Sequence, residues 1–200
     1  MYVCRSSGMR CGSSGLVGTS RPSHSIGKKL SGPSLSTLGQ NVVHESVMEF
    51  VTGVVDRHGL ADAARVLEIG SLDVNGSVRS LFSGDYTGVD RKDGKGVDHV
   101  GGVEDMLGRS FDVVVSTSAL EHDPAFWFTL EAIRRILNPG GYFILTTVSW
   151  GFFEHDKPDY YRFMPDVYAL LMELAGCDVV EWREDPQSGG PQMLGRRHGA

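Results

Sequence analysis

The chain has 200 residues, of which 40% are hydrophobic and 22% charged, as expected for one soluble globular domain with a short appendage. Its net charge of -6 argues against a nucleic-acid backbone or an anionic membrane as the main partner. Three cysteines are too few for a disulfide framework, and no apolar run reaches the roughly 20 residues that a membrane-spanning helix needs. The 26 glycines are the unusual feature, since average usage is about 7%.

Residues 1–40 differ from the rest of the chain in composition. They contain ten Ser, seven Gly, five basic residues and no acidic residue, without a strand or helix period. Such a segment cannot bury enough apolar surface to order itself, so we predict a disordered extension or an over-long gene start. The alternative is a transit peptide, although no amphipathic helix is evident. No apolar secretory segment is present, and we predict a cytoplasmic protein.

Residues 41–200 are predicted to form the folded domain. They carry a net charge of -11, which makes nucleic-acid binding less expected still. Apolar residues recur at helical spacing from Val43 to Val55, and Gly59 suits the end of that helix. Further helical patterns cover residues 77–82, 125–137 and 165–175.

The strand patterns alternate with these helices. Predicted strands cover residues 65–69, 86–90, 97–100, 111–116, 142–148 and 177–182. Residues 138–141 are predicted to form the turn before the fifth strand, and residues 192–196 only a short last strand. Continuous apolar strands between helices predict an α/β fold: a doubly wound, mainly parallel Rossmann-like sheet with helices on both faces and a short C-terminal strand.

The first predicted strand is followed by a loop with two glycines. Gly70 ends the strand and Gly76 precedes the next helix, and the missing Cβ atoms allow a ligand to approach the backbone. Asp90 ends the second strand twenty residues after Gly70, the offset at which an acidic side chain can bind ribose hydroxyls. Loop and acid together predict a nucleotide-type cofactor site; the alternative is a plain turn with a surface Asp.

Ordered segments between Val66 and Val148 resemble class I S-adenosylmethionine-dependent methyltransferases, in the branch that includes small-molecule methyltransferases. The segments are Val-Leu-Glu-Ile-Gly-Ser, Asn-Gly-Ser-Val-Arg, Tyr-Thr-Gly-Val-Asp, Phe-Asp-Val-Val-Val-Ser-Thr-Ser-Ala-Leu-Glu-His and Leu-Asn-Pro-Gly-Gly-Tyr-Phe-Ile-Leu-Thr-Thr. The resemblance implies an enzyme that uses S-adenosylmethionine as its cofactor and methylates a small-molecule acceptor.

The resemblance also implies a set of cofactor-binding residues. These are Glu68, Gly70, Ser71, Asn75, Gly76, Asp90, Arg91, Asp105, Ser116 and Thr117. Glu68 matches the acid near the methionine amino group, and Asp90 the acid that holds the ribose. The chain departs from the family at two positions: Ser71 replaces the usual second glycine, and a glycine replaces an acid often found near adenine. For the adenine contact we predict the nearby Asp105; the alternative is a contact made by the backbone only.

Methyl transfer from a sulfonium depends mostly on positioning, and a general base is needed only for a poorly ionised hydroxyl or a protonated amine. The predicted catalytic residues lie in loops after the fourth and fifth strands: His122, Asp123 and His155. In the alternative interpretation, His122 packs beside the following helix and His155 belongs to a solvated lid. No compact metal-ligand spacing occurs, so no metal is predicted.

Aromatic residues near these loops have different expected roles. Trp127 and Phe128 are expected to pack inside, because they follow Phe126 on a helix. An apolar wall for the acceptor is predicted from Trp150, Phe152 and Phe153. Cys177, at the start of a buried strand, is predicted to be a core residue.

Two other functions remain open for the sequence. One is a nicotinamide- or nucleotide-binding enzyme, which shares the glycine loop and the acid but usually has Gly-x-Gly-x-x-Gly. The other is a non-catalytic relative that serves as a binding or partner subunit, a hypothesis kept open by the altered loop and the brief C-terminus.

Overall fold

A computed structural model describes residues 36–74, 76–150 and 158–199, with side chains from Glu45 onward. This part contains three α-helices: α1 (Ser36–His58), α2 (Phe126–Ile136) and α3 (Tyr168–Leu174). Its strands are β1 (Arg65–Ile69), β2 (Asp85–Asp90), β3 (His99–Val100), β4 (Phe111–Thr117), β5 (Leu137–Thr146), β6 (Cys177–Glu184) and β7 (Pro191–Arg197). Short 3-10 helices cover Val78–Leu81, Val103–Met106, Leu120–His122 and Pro165–Val167.

The seven strands form one sheet in the order β3-β2-β1-β4-β5-β7-β6. Strands β1 to β5 run parallel, whereas β7 is antiparallel to both β5 and β6. The predicted Rossmann-like, mainly parallel sheet is thereby confirmed. The last strand predicted over residues 192–196 is present as β7, which extends one residue further at each end and is paired on both sides.

Successive strand residues point to opposite faces of the sheet, so apolar strands present apolar side chains on both faces. Helices cover both faces and bury these side chains. On one face, Val51 and Val54 of α1 join a buried cluster with Val66 of β1. On the other, Leu130 of α2 joins a second cluster with Leu67 of β1. Each fully buried side chain of this kind contributes about 1.5–3 kcal/mol of transfer free energy. Because both faces of the strands are buried, apolar residues are favoured at consecutive strand positions and not only at alternate ones.

Two local predictions differ from the structure. The helix predicted over residues 77–82 is a single 3-10 turn, Val78–Leu81, capped by the Ser77 hydroxyl, which accepts the Arg79 N–H. The turn predicted over residues 138–141 lies within β5, where Gly140 has a φ of +76° and the register with β4 shifts. Sequence patterns locate such irregularities poorly, because glycine and proline occur both in turns and at bulges.

Helix α1 begins at Ser36, inside the extension predicted over residues 1–40. The disorder of that extension stays a prediction, because residues 1–35 lie outside the described part of the chain. Among the helices that the structure describes, none combines the length and the apolar character needed to cross a membrane.

Candidate functional site

The carboxyl ends of four parallel strands meet at one edge of the sheet. Ile69 of β1 pairs with Ser116 of β4, and Thr117 of β4 pairs with Thr146 of β5. Ser118, just past β4, has a φ of +47°, a strained conformation for a residue with a side chain. Ligands of open α/β sheets bind at this carboxyl edge. The topology therefore brings most of the predicted cofactor residues to the expected place.

Gly70 brings the loop after β1 against the loop after β4. Its φ of +78° favours glycine, and a Cβ at this position would lie 2.5 Å from the Cβ of Ala119. Any larger residue would push the two loops apart. The glycine predicted from sequence at this point is thus required by packing as well as by backbone conformation.

Three buried hydroxyl groups at this edge lack a hydrogen-bond partner within the described residues. They belong to Ser71 after β1, Ser116 in β4 and Thr146 in β5, all at most 2% exposed. Buried polar groups are normally paired, but these three do not form one cluster, because Ser116 pairs with Leu145 and therefore points to the opposite sheet face from Thr146. The acids Asp90 and Glu68, at the ends of β2 and β1, are the groups here whose chemistry fits the hydroxyl and amino groups of S-adenosylmethionine.

Replacing Ser116 with Ala is expected to leave the free energy of unfolding of the ligand-free protein unchanged, or to raise it by up to about 1 kcal/mol, because an unpaired buried hydroxyl is removed. The matched control is Ser149→Ala. The Ser149 hydroxyl contacts the Phe163 carbonyl and lies 2.6 Å from the Tyr168 hydroxyl, so its loss should cost about 1–2 kcal/mol. Urea denaturation measures both variants. Equal destabilisation by both would reveal a structural partner for Ser116.

Glu68 lies buried in β1 directly below the glycine loop. Its Oε2 accepts a hydrogen bond of 2.9 Å from the Tyr86 hydroxyl. Burial raises the pKa of Glu68 to about 7; the hydrogen bond from Tyr86 and the nearby Arg79 oppose this shift, while Asp73 and Asp90 add to it. A cationic group bound beside Glu68 would favour its ionised form.

Asp90 links the ends of β1 and β2. Its Oδ2 lies 3.3 Å from the Leu72 amide nitrogen, and its Oδ1 accepts a 2.9 Å hydrogen bond from the Lys92 N–H. Each carboxylate oxygen has two acceptor sites, so Asp90 can still accept bonds from two ligand hydroxyls.

Two other charged residues predicted near the cofactor have protein partners: the basic Arg91 and the acidic Asp105. Arg91 pairs with Glu104 at 2.8 Å and its side chain is 72% exposed. Asp105 lies 3.0 Å from the His99 ring, and hydrogen bonds from His99 and from the Gly102 N–H lower its pKa. Their roles in cofactor binding stay predictions.

Of the predicted catalytic residues, the structure describes His122 and Asp123. The His122 Nδ1–H donates to the Pro158 carbonyl at 2.7 Å. Asp123 fixes the turn before α2, because its Oδ1 accepts the Ala125 N–H at 2.9 Å and its Oδ2 accepts the Thr129 hydroxyl at 2.6 Å. Asn75, His155, Phe152 and Phe153 lie outside the described residues. Catalysis by His122, Asp123 or His155 therefore stays a prediction.

Glu121 is not among the predicted site residues, yet it is a buried acid that is only 2% exposed. Its Oε2 accepts the Thr147 hydroxyl at 2.8 Å, and its carbonyl accepts the N–H groups of Tyr160 and Tyr161. Burial raises the pKa of Glu121. The residue ties the loops after β4 and β5 to the segment that begins at residue 158.

Exposed aromatic side chains lie close to this segment. Trp127 and Phe128 were expected to pack inside, but they are 45% and 70% exposed. The inward stripe of α2 follows the spacing of Phe126, Leu130 and Ile133, and the two residues after Phe126 fall off it. Cys177 is buried as predicted, and burial raises its thiol pKa to about 12.

Comparisons with known proteins agree with this geometry. A family model described as a methyltransferase domain matches residues 75–145. The 1,6-didemethyltoxoflavin-N1-methyltransferase of Burkholderia thailandensis is 19% identical with a TM-score of 0.61, and the match covers 86% of this chain and 93% of that one. Magnesium protoporphyrin IX methyltransferase of Synechocystis is 12% identical with a TM-score of 0.62, covering 84% and 86%. No curated protein matches the chain in sequence.

The fold defines a Rossmann-like sheet with a candidate ligand site at its carboxyl edge. Residues 75–145 are similar to a methyltransferase domain, and the two solved methyltransferase structures share the fold of this chain.

Proposed function

We propose that this enzyme transfers the methyl group of S-adenosylmethionine to a small-molecule acceptor at the carboxyl edge of the sheet. One observation carries the cofactor assignment: the left-handed Gly70 brings the loop after β1 against Ala119, and Asp90 at the end of β2 lies 3.3 Å from the Leu72 amide of the same loop with acceptor sites left over. The cofactor supplies an activated methyl group, and the protein contributes binding and orientation.

Asp90 and Glu68 bind different groups of the cofactor. Asp90 accepts hydrogen bonds from the ribose hydroxyls, since its carboxylate retains free acceptor sites. Glu68 attracts the amino group, because a buried carboxyl beside a cation gains charge stabilisation. Burial of this part of the edge keeps water away from the bound donor and strengthens both contacts.

A small-molecule acceptor is supported by two observations. The solved structure of the Burkholderia relative contains 1,6-didemethyltoxoflavin and S-adenosylhomocysteine, and another relative of similar fold is a mitomycin 7-O-methyltransferase. The net charge of -11 on residues 41–200 disfavours a polyanionic acceptor. We place the acceptor near His122, beside the exposed rings of Tyr160 and Trp127.

Calorimetric titration of the whole chain with S-adenosylmethionine, S-adenosylhomocysteine and NAD tests the proposal. We expect micromolar binding of the two methionine-derived ligands and none of NAD, because the loop after β1 lacks the Gly-x-Gly-x-x-Gly pattern. Binding of NAD would favour a nicotinamide enzyme. Silence with all three ligands would favour a non-catalytic partner subunit.

A further inference from the structure

The loop that follows β1 is not continued by an α-helix. Residues 70–77, here called the cofactor loop, lead only into the four-residue 3-10 turn Val78–Leu81, and Asn75 within them lies outside the described residues. In a strand-loop-helix unit the first helical turn anchors the loop through its backbone hydrogen bonds. Another element must hold the cofactor loop here.

That element is the segment 91–98 between β2 and β3, here called the supporting loop. The Asp73 N–H donates to the Lys95 carbonyl at 2.8 Å. Gly96 has a φ of +88°, and a Cβ there would lie 2.5 Å from the Ser71 carbonyl oxygen. A Cβ at Gly94 would lie 2.4 Å from the Leu72 side chain. Two glycines thus let the supporting loop rest directly on the cofactor loop.

The Asp73 carboxylate joins the two loops a second time. Its Oδ1 accepts the Gly76 N–H at 2.7 Å, which closes the cofactor loop on itself. Its Oδ2 lies 2.7 Å from the Lys95 Nζ, and the Asp73 side chain is only 10% exposed. Asp73 directly follows Leu72, whose amide nitrogen lies 3.3 Å from Asp90 Oδ2, so it lies beside the proposed cofactor site.

We propose that Asp73 is a positioning residue for cofactor binding: it fixes the cofactor loop by accepting the Gly76 N–H and anchors it to Lys95 of the supporting loop. The inference rests on the proposed function, because it assigns the loop's conformation to S-adenosylmethionine binding. Gly76 has a φ of +120°, and an unconstrained glycine samples many other conformations. Asp73 therefore raises the affinity for S-adenosylmethionine by holding the loop in its binding conformation before the ligand binds.

The two contacts of Asp73 have unequal weight. Lys95 is 83% exposed, and ion pairs with exposed partners contribute little. The hydrogen bond from Gly76 ends on an ionised acceptor within the protein and is the stronger contact. An amide in place of the carboxylate keeps this hydrogen bond and loses the ion pair.

The test compares Asp73→Ala, Asp73→Asn and the control Asp93→Asn by S-adenosylhomocysteine titration and by amide exchange of the ligand-free protein. Asp93 is an exposed acid in the same supporting loop. We expect Asp73→Ala to weaken binding about tenfold and to speed exchange of the Gly76 amide to a similar degree, as loss of one charge-assisted hydrogen bond implies. Asp73→Asn should stay within about threefold of wild type, and Asp93→Asn within about twofold.

Several outcomes would overturn the inference. They are Asp73→Ala binding within twofold of wild type, an equal loss in Asp73→Asn, or a loss accompanied by faster exchange throughout the core strands. Should Asp73→Ala not fold, Asp73→Ser replaces it, with affinity expected below that of Asp73→Asn. If wild type itself does not bind S-adenosylhomocysteine, the proposed function fails, while exchange at Gly76 still tests the role of Asp73 in the loop.

Discussion

Asp90→Ala is expected to weaken S-adenosylhomocysteine binding by at least about 100-fold, since it removes two hydrogen bonds to an ionised acceptor, each contributing about 1.5–3 kcal/mol. The same change frees the N–H groups of Leu72 and Lys92, so the free energy of unfolding should fall by about 1–2 kcal/mol. Calorimetry measures the affinity, and urea denaturation measures the stability.

The structure makes Asp90→Asn the informative companion variant. Its amide oxygen can still accept one backbone N–H, so stability should be closer to wild type while the affinity for the ribose still falls. Asp93→Asn controls for the lost charge, because Asp93 is exposed and lies three residues further on. Affinity unchanged in Asp90→Ala would remove Asp90 from the ribose site.

Glu68 is expected to make the ligand-free protein less stable as the pH rises. Its pKa is about 7 in the folded protein and about 4.5 in the unfolded chain, so the folded protein binds the extra proton between these values. Stability from Glu68 is fully present below pH 4.5 and is lost as the pH rises through 7. A shift of this size corresponds to about 3 kcal/mol.

Glu68→Gln isolates this contribution from that of Glu121, which burial shifts in the same direction. We expect the Gln variant to lose about 2.5 kcal/mol less stability than wild type between pH 5 and pH 8, and to be the more stable protein at pH 8. Urea denaturation at both pH values measures the difference. The exposed Glu45→Gln serves as the control. Parallel pH profiles for Glu68→Gln and wild type would contradict the shifted pKa.

The spacing of apolar residues predicted most of the fold, because strands that are buried on both sheet faces are continuous apolar runs in the sequence. Continuous apolar runs such as Val113 to Val115 lie in a parallel strand with helices on either side. The positions of Gly70 and Asp90 at the ends of β1 and β2 were also predictable, whereas their roles in ligand binding stay predictions.

Side-chain partners were not predictable in the same way. Asp123 accepts the Ala125 N–H before α2 and the Thr129 hydroxyl within it, whereas an aspartate after a strand is equally compatible with proton transfer. The burial of Glu121 depends on Thr147, 26 residues away in sequence. Such contacts depend on tertiary packing, and one sequence contains no local pattern that reports them. The short 3-10 turn after the cofactor loop was not predictable for the same reason. The cofactor loop is held by contacts with the supporting loop and not by a following helix.

The position of β7 in the sheet has a consequence for biosynthesis. β7 follows every other strand in sequence, yet it lies between β5 and β6. During translation, β5 therefore presents an unpaired edge until residue 197 has left the ribosome. Unpaired edges of apolar strands are prone to aggregation. Chains arrested before β7 should consequently depend on chaperones far more than the completed chain.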